Sequence, residues 1–128
     1  MKIEHAGIQV KDPAAMADWY IAHLGFKCTR SADAPVPVRF IADGSGKVML
    51  EVYNNPEARV PDYSAMDPLH LHVAFTCDDP GPTAQRLVRA GAKLVSGPET
   101  KPNGDELVML RDPWGLPIQL CRRASTMV

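Results

Sequence analysis

Charge of one sign is what this sequence most conspicuously lacks: its 14 Lys and Arg face 15 Asp and Glu, leaving a formal net charge of -1. A chain so balanced offers no basic field for a nucleic-acid backbone or an anionic bilayer, so neither is expected as a partner. Cysteine is scarce and odd in number. Cys28, Cys77 and Cys121 show no C-x-x-C spacing, which argues against a disulfide framework or a zinc knuckle. A reducing, cytoplasmic setting is expected, with Cys28 and Cys77 as small buried apolar residues. Long apolar runs are absent too. No stretch approaches the roughly 20 residues that a spanning helix needs, and MKIEHAGIQV does not read as a signal peptide.

What is present is a repeat. IEHAGIQVKDP (3–13) aligns without a gap over LHVAFTCDDP (71–80), placing His5 over His72, Asp12 over Asp79 and Pro13 over Pro80. A shift of one residue brings Gly25 over Gly91; further on, VMLEVY (48–53) lies over LPIQLC (116–121), so that Glu51 meets Gln119. DGSG (43–46) and DPWG (112–115) fall at matching places as tight turns. Asp-Pro at each helix start supplies a capping carboxylate and a proline whose missing N–H sacrifices nothing. Helices are therefore expected over about 13–24 and 80–90, with Gly25 and Gly91 ending them. Short apolar segments, VRFI (38–41), VMLEVY, KLVS (93–96), LVMLR (107–111) and PIQLC (117–121), read as antiparallel strands. The expected fold is α+β, two tandem βαβββ modules forming a curved mixed sheet around a cavity. Module one covers about 1–53, a proline-rich connector 54–68, module two about 69–122, and a tail 123–128, all within one domain.

The polar residues in these strands carry the functional reading. DPLHLHVAF (67–75) resembles a strand with His70 and His72 on one face and Leu71, Val73 and Phe75 on the other. His5 and His72 occupy the first strand of each module, and Glu51 and Gln119 the last. A carboxylate in a strand centre is costly to desolvate unless something positive faces it. Two imidazoles, one carboxylate and one amide at repeat-related positions make a candidate cage for a divalent metal. Set against this, a single strand histidine is more often a hydrogen-bonded core residue, and Glu51 could instead pair with Arg39 or Lys47. His70, Arg39, Asn103 and Trp114 are candidate substrate contacts, with plain turn or surface roles as the alternative. His23 reads as a solvated residue near a helix end, and ADGSGK (42–47) lacks phosphate-loop spacing and reads as a hairpin turn.

IEHAGIQVKDP, WYIAHLGF (19–26), LHVAF, RAGA (89–92) and RDPWGLPIQL (111–120) together resemble the vicinal oxygen chelate superfamily, which includes glyoxalase I, extradiol dioxygenases and bleomycin-resistance proteins. The resemblance spans about residues 3–122. It implies metal ligands at His5, Glu51, His72 and Gln119, the last standing where glutamate is usual. An amide cannot act as a base near neutral pH, which leaves Glu51 as the candidate catalytic base. The resemblance further implies a divalent ion (nickel, zinc, cobalt, manganese or iron), a small-molecule substrate chelated through adjacent oxygens, a homodimer, and lyase or isomerase chemistry of glyoxalase type. Metal-free sequestration of a small molecule is the alternative. An extradiol dioxygenase is a third reading, weakened by the missing last-strand glutamate.

Overall fold

The computed structural model describes residues 1–127, and the chain divides into two compact units that meet in sequence between Pro61 and Asp62. In the first unit the order is β1 (His5–Gln9), α1 (Pro13–Leu24), β2 (Lys27–Ala32), β3 (Val38–Ala42) and β4 (Met49–Tyr53). In the second a 3₁₀ turn (Tyr63–Ala65) precedes β5 (Val73–Thr76), α2 (Pro80–Arg89), β6 (Lys93–Thr100), β7 (Glu106–Arg111) and β8 (Pro117–Arg122). Each unit holds a four-stranded mixed sheet, ordered β1-β4-β3-β2 and β5-β8-β7-β6. The outer pairs β1–β4 and β5–β8 are parallel and the others antiparallel. The fold is thus α+β, with the βαβββ order in both halves.

Alternation decides which face each strand buries. Leu50 and Val52 of β4 pack with Ile8, Val10 and Ile41 beneath Met16, Ala17 and Tyr20 of α1. Tyr20 meets Phe26 edge-on at 5.6 Å. The second core is built likewise from Val108, Leu110, Leu116, Ile118 and Leu120 under Ala84 and Leu87 of α2. Burying each such aliphatic side chain contributes about 1.5–3 kcal/mol.

The helix starts differ. Asp12 accepts a hydrogen bond from Ala15 N at 3.0 Å and caps α1 as expected. Asp79 makes no side-chain cap bond, so α2 begins on Pro80 alone. Gly25 closes α1 at φ 73°, whereas Ala90 closes α2 and Gly91 follows at φ 101°.

Several expectations need correction. The 67–75 segment is not one strand. Asp67 anchors a turn by accepting from Leu69 N and His70 N, so pairing begins only at Val73, and His70 and His72 both precede β5. KCTRSA (27–32) forms β2 although it has no apolar alternation, because it is an edge strand exposed along its length. Cys28 within it is exposed rather than buried. The connector is partly structured: Asp62 caps the 3₁₀ turn and Tyr63 is buried. Both DGSG and DPWG close as turns, with Gly46 N and Gly115 N donating to the carbonyls of Asp43 and Asp112.

Candidate functional site

In the first unit the parallel register places Gly7 beside Glu51 and His5 beside Met49. His5, Gly7 and Gln9 therefore share the sheet face that carries Glu51 and Tyr53, the face away from the α1 core. Across Gly7, which has no side chain to intervene, His5 Nε2 lies 3.4 Å from Glu51 Oε2. A Cβ at position 7 would stand 3.2 Å from Tyr53 Cε1 and 3.4 Å from Glu51 Oε2. The opposite edge of the imidazole is held by Glu4, whose Oε2 makes a short hydrogen bond with Nδ1. Phe40, the cross-strand partner of Glu51, packs edge-on against the His5 ring at 5.6 Å. The Glu4 hydrogen bond raises the His5 pKa above its ordinary value; partial burial opposes this, and the charges of Glu4 and Glu51 add to it.

These donors suit a cation. At 3.4 Å apart, His5 Nε2 and Glu51 Oε2 are near enough that both could serve one divalent ion, which would take a nitrogen and an oxygen donor from this face. In the neutral imidazole with Nδ1 donating its hydrogen to Glu4, Nε2 would present its lone pair on the Glu51 side. A carboxylate on the outer imidazole nitrogen is the usual support of a metal-bound histidine. Glu4 was not among the residues singled out from the sequence, although its adjacency to His5 was visible there.

The second unit repeats the register and changes the chemistry. Ala74 pairs with Gln119, as Gly7 pairs with Glu51, so His72 and His5 stand equally far from their partners in sequence. His72 Nδ1 lies 2.8 Å from the Pro68 carbonyl. A carbonyl only accepts, so Nδ1 carries the hydrogen of this bond. Gln119 Oε1 accepts from the Cys121 thiol at 3.3 Å. Burial pushes the Cys121 pKa up, which keeps that thiol protonated and donating.

The other candidates are engaged within their own units. Arg39 is opposite Val52 and so belongs to the helix-covered side of the first sheet. It donates to the Ala32 and Val38 carbonyls and pairs with Asp33 at 2.6 Å, beside a cavity of about 410 Å³ lined also by Lys11, Asp12 and Asn54. His70 is exposed in the turn before β5. Asn103 accepts from Asp105 N, and Trp114 N donates to Asp112, both within turns of the second unit. Among the described residues no group of three or more His, Cys, Asp and Glu side chains stands ready to hold a metal. Nor is any helix among them long and apolar enough to cross a membrane.

A family model described as Glyoxalase/Bleomycin resistance protein/Dioxygenase superfamily matches residues 2–120. No match is found among curated proteins. Solved structures share the fold at low identity. TnmS3, an antibiotic binding protein from Streptomyces sp. CB03234, is 20% identical with a TM-score of 0.74, over 97% of each chain. A superfamily member from Sphaerobacter thermophilus is 18% identical with a TM-score of 0.77, covering 96% of this chain and 98% of its own. Leishmania major glyoxalase I is 23% identical with a TM-score of 0.75, covering 95% of this chain and 86% of its own. At these identities the likeness concerns the fold.

Proposed function

Because the chain belongs to the Glyoxalase/Bleomycin resistance protein/Dioxygenase superfamily, we propose that it is a divalent-metal-dependent lyase or isomerase of glyoxalase type, with His5, Glu51 and His72 as ligands and Gln119 as a weak fourth ligand or a substrate hydrogen-bond donor. The observation that carries this reading is the His5–Glu51 pair, 3.4 Å apart on one sheet face with Glu4 behind the imidazole. A bound divalent ion would supply Lewis-acid polarisation of two adjacent substrate oxygens. His5 contributes a neutral nitrogen whose orientation Glu4 fixes. Glu51 is the carboxylate able to take a proton from substrate carbon, which the Gln119 amide cannot do. Gln119, its oxygen accepting from Cys121, keeps its NH₂ hydrogens for a substrate oxygen. Association into a homodimer belongs to the same proposal; the exposed edge strands β2 and β6 support it, and a sedimentation mass of one chain would refute it.

The test is metal binding by protein purified without chelators. One divalent ion per chain is expected. Affinity should fall about 10–100-fold in Glu4→Gln, and further in His5→Ala and His72→Ala. Metal content in His5→Ala equal to wild type overturns the reading.

Metal-free binding of a small molecule is the second reading, favoured by the Gln119–Cys121 hydrogen bond in place of a second carboxylate. The same titration separates the two, since a pure binder takes up no metal at His5.

A further inference from the structure

An irregularity in β2 decides which side chain shares the face of Glu51. Strict alternation from the Cys28–Ile41 pair would set Arg30 opposite Arg39, on the helix-covered side of the first sheet. The register shifts instead between Cys28 and Arg30, so that Arg30 pairs with Phe40 and Ser31 with Arg39. Thr29 is the extra residue of this bulge. Its hydroxyl lies 3.1 Å from the Phe40 carbonyl oxygen and 3.3 Å from Met49 Sδ, which pins the bulge to the face that carries Glu51. The effect of the bulge is to re-aim Arg30.

A row of Gly7, Glu51, Phe40 and Arg30 thus crosses the open face of the first sheet. Arg30 and Glu51 stand two strand spacings apart, about 9.6 Å at Cα, with Phe40 between them. Arg30 is exposed, and its guanidinium has no protein acceptor among the described residues. Arg39, on the other side of the same sheet, is by contrast held by Asp33 and two carbonyls. The adjacent row ends in a second cation, Lys27, opposite Ala42 and likewise without an ion pair. Carboxylate and imidazole therefore occupy one side of this face, and unmatched cations its β2 edge. With a divalent ion on His5 and Glu51, that row would hold no free anion to answer Arg30. An anionic group on the substrate would complete it.

We propose that Arg30 determines specificity: it receives a carboxylate or phosphoryl oxyanion at the far end of a substrate whose other end reaches Glu51. The proposal rests on the metal-dependent reading above for the Glu51 end, and on β2 alone for the other. The planar guanidinium fork suits either oxyanion. Cations on an edge strand also discourage pairing with another chain, a role that would leave ligand choice untouched.

The probes are dihydrocaffeate, a catechol with a carboxylate at the end of a short chain, and its uncharged primary amide. Both are titrated calorimetrically into the full chain, once with zinc and once with EDTA. The preference for acid over amide reads Arg30, and the difference between zinc and EDTA reads the metal, so either can fail alone. Wild type is expected to bind the acid about tenfold tighter than the amide, as a charge-assisted hydrogen bond allows. Arg30→Gln should abolish that preference while zinc uptake and the thermal midpoint stay unchanged, and Arg30→Lys should restore part of it. The phosphonate analogue identifies the oxyanion: binding tighter than the carboxylate, and lost in Arg30→Gln, assigns phosphoryl substrates, and weaker binding assigns carboxylates. No binding of either anionic probe, no preference over the amide in wild type, or a preference unchanged in Arg30→Gln overturns the proposal.

Discussion

Residues 43–46 and 112–115 close the same kind of turn in the two units, yet their surroundings differ. Gly46, at φ 68°, would meet nothing within 4 Å if it carried a Cβ. Gly115, at φ 86°, would collide with Ser64 Oγ and meet Ser64 N at 2.8 Å. Asp43 serves only its own turn, accepting from Ser45 and Gly46. Asp112 is 2% exposed and accepts from Trp114 N and Leu116 N. Arg111 then joins the second turn to the segment before β5, donating to the carbonyls of Tyr63, Met66 and Gly115 at 2.7, 2.7 and 3.1 Å. A duplicated plan has been left open in one half and built into a tertiary contact in the other. Local sequence sets the turn; what packs on it sets how much change it tolerates.

The sharpest way to break this comparison is a matched pair of substitutions. Gly115→Ala is expected to cost about 2–4 kcal/mol, combining left-handed strain with overpacking, against about 1 kcal/mol for Gly46→Ala. Urea denaturation of both variants measures the difference, and equal costs would show that the Ser64 contact yields freely. The helix starts provide the next contrast. Asp12→Ala removes a made cap and should cost about 1 kcal/mol, whereas Asp79→Ala should leave the thermal midpoint within error. A comparable loss in both would mean that Asp79 caps in solution.

An effect smaller than that of Asp12→Ala is expected at neutral pH from Asp105→Asn, which keeps an oxygen for Ala124 N and loses a partly solvated ion pair. Here the pH dependence is informative. Hydrogen bonds from Ala124 and Arg123 hold the Asp105 carboxyl below the usual carboxylate range. Its contribution to stability is thus complete above the unfolded-state value and lost as pH falls through the folded one. Wild type and variant should converge in urea midpoint in acid and separate toward neutrality. A constant gap across that window would remove Asp105 ionisation from the account.

Much of this was legible in the sequence where a residue acts locally. Asp-Pro announced both helix starts, and the alternation around Glu51 and Gln119 gave the faces of β4 and β8. The offset between the two halves brought Glu51 and Gln119 to matching places, and the parallel registers agree with it. Elements decided by distant partners were not legible. KCTRSA is a strand because β3 pairs with it, not because of any pattern of its own. His70 looked like a strand residue because the pull of Asp67 on the following amides competes with apolar alternation and wins. Gln9 shares a face with His5, but nothing nearby in sequence tells that its amide is consumed by residues 55 and 58. That the remaining candidates Arg39, Asn103 and Trp114 are engaged in local hydrogen bonds likewise depends on geometry.

The three carbonyls gathered by Arg111 carry a practical lesson for dissecting the molecule. A fragment cut at residue 69, where the second repeat begins in sequence, would discard two of them and leave a half-buried guanidinium short of acceptors. Lysine at 111 could not span the same fork. The natural seam lies ahead of Asp62, so the ancestral-looking half and the physically complete half begin at different residues.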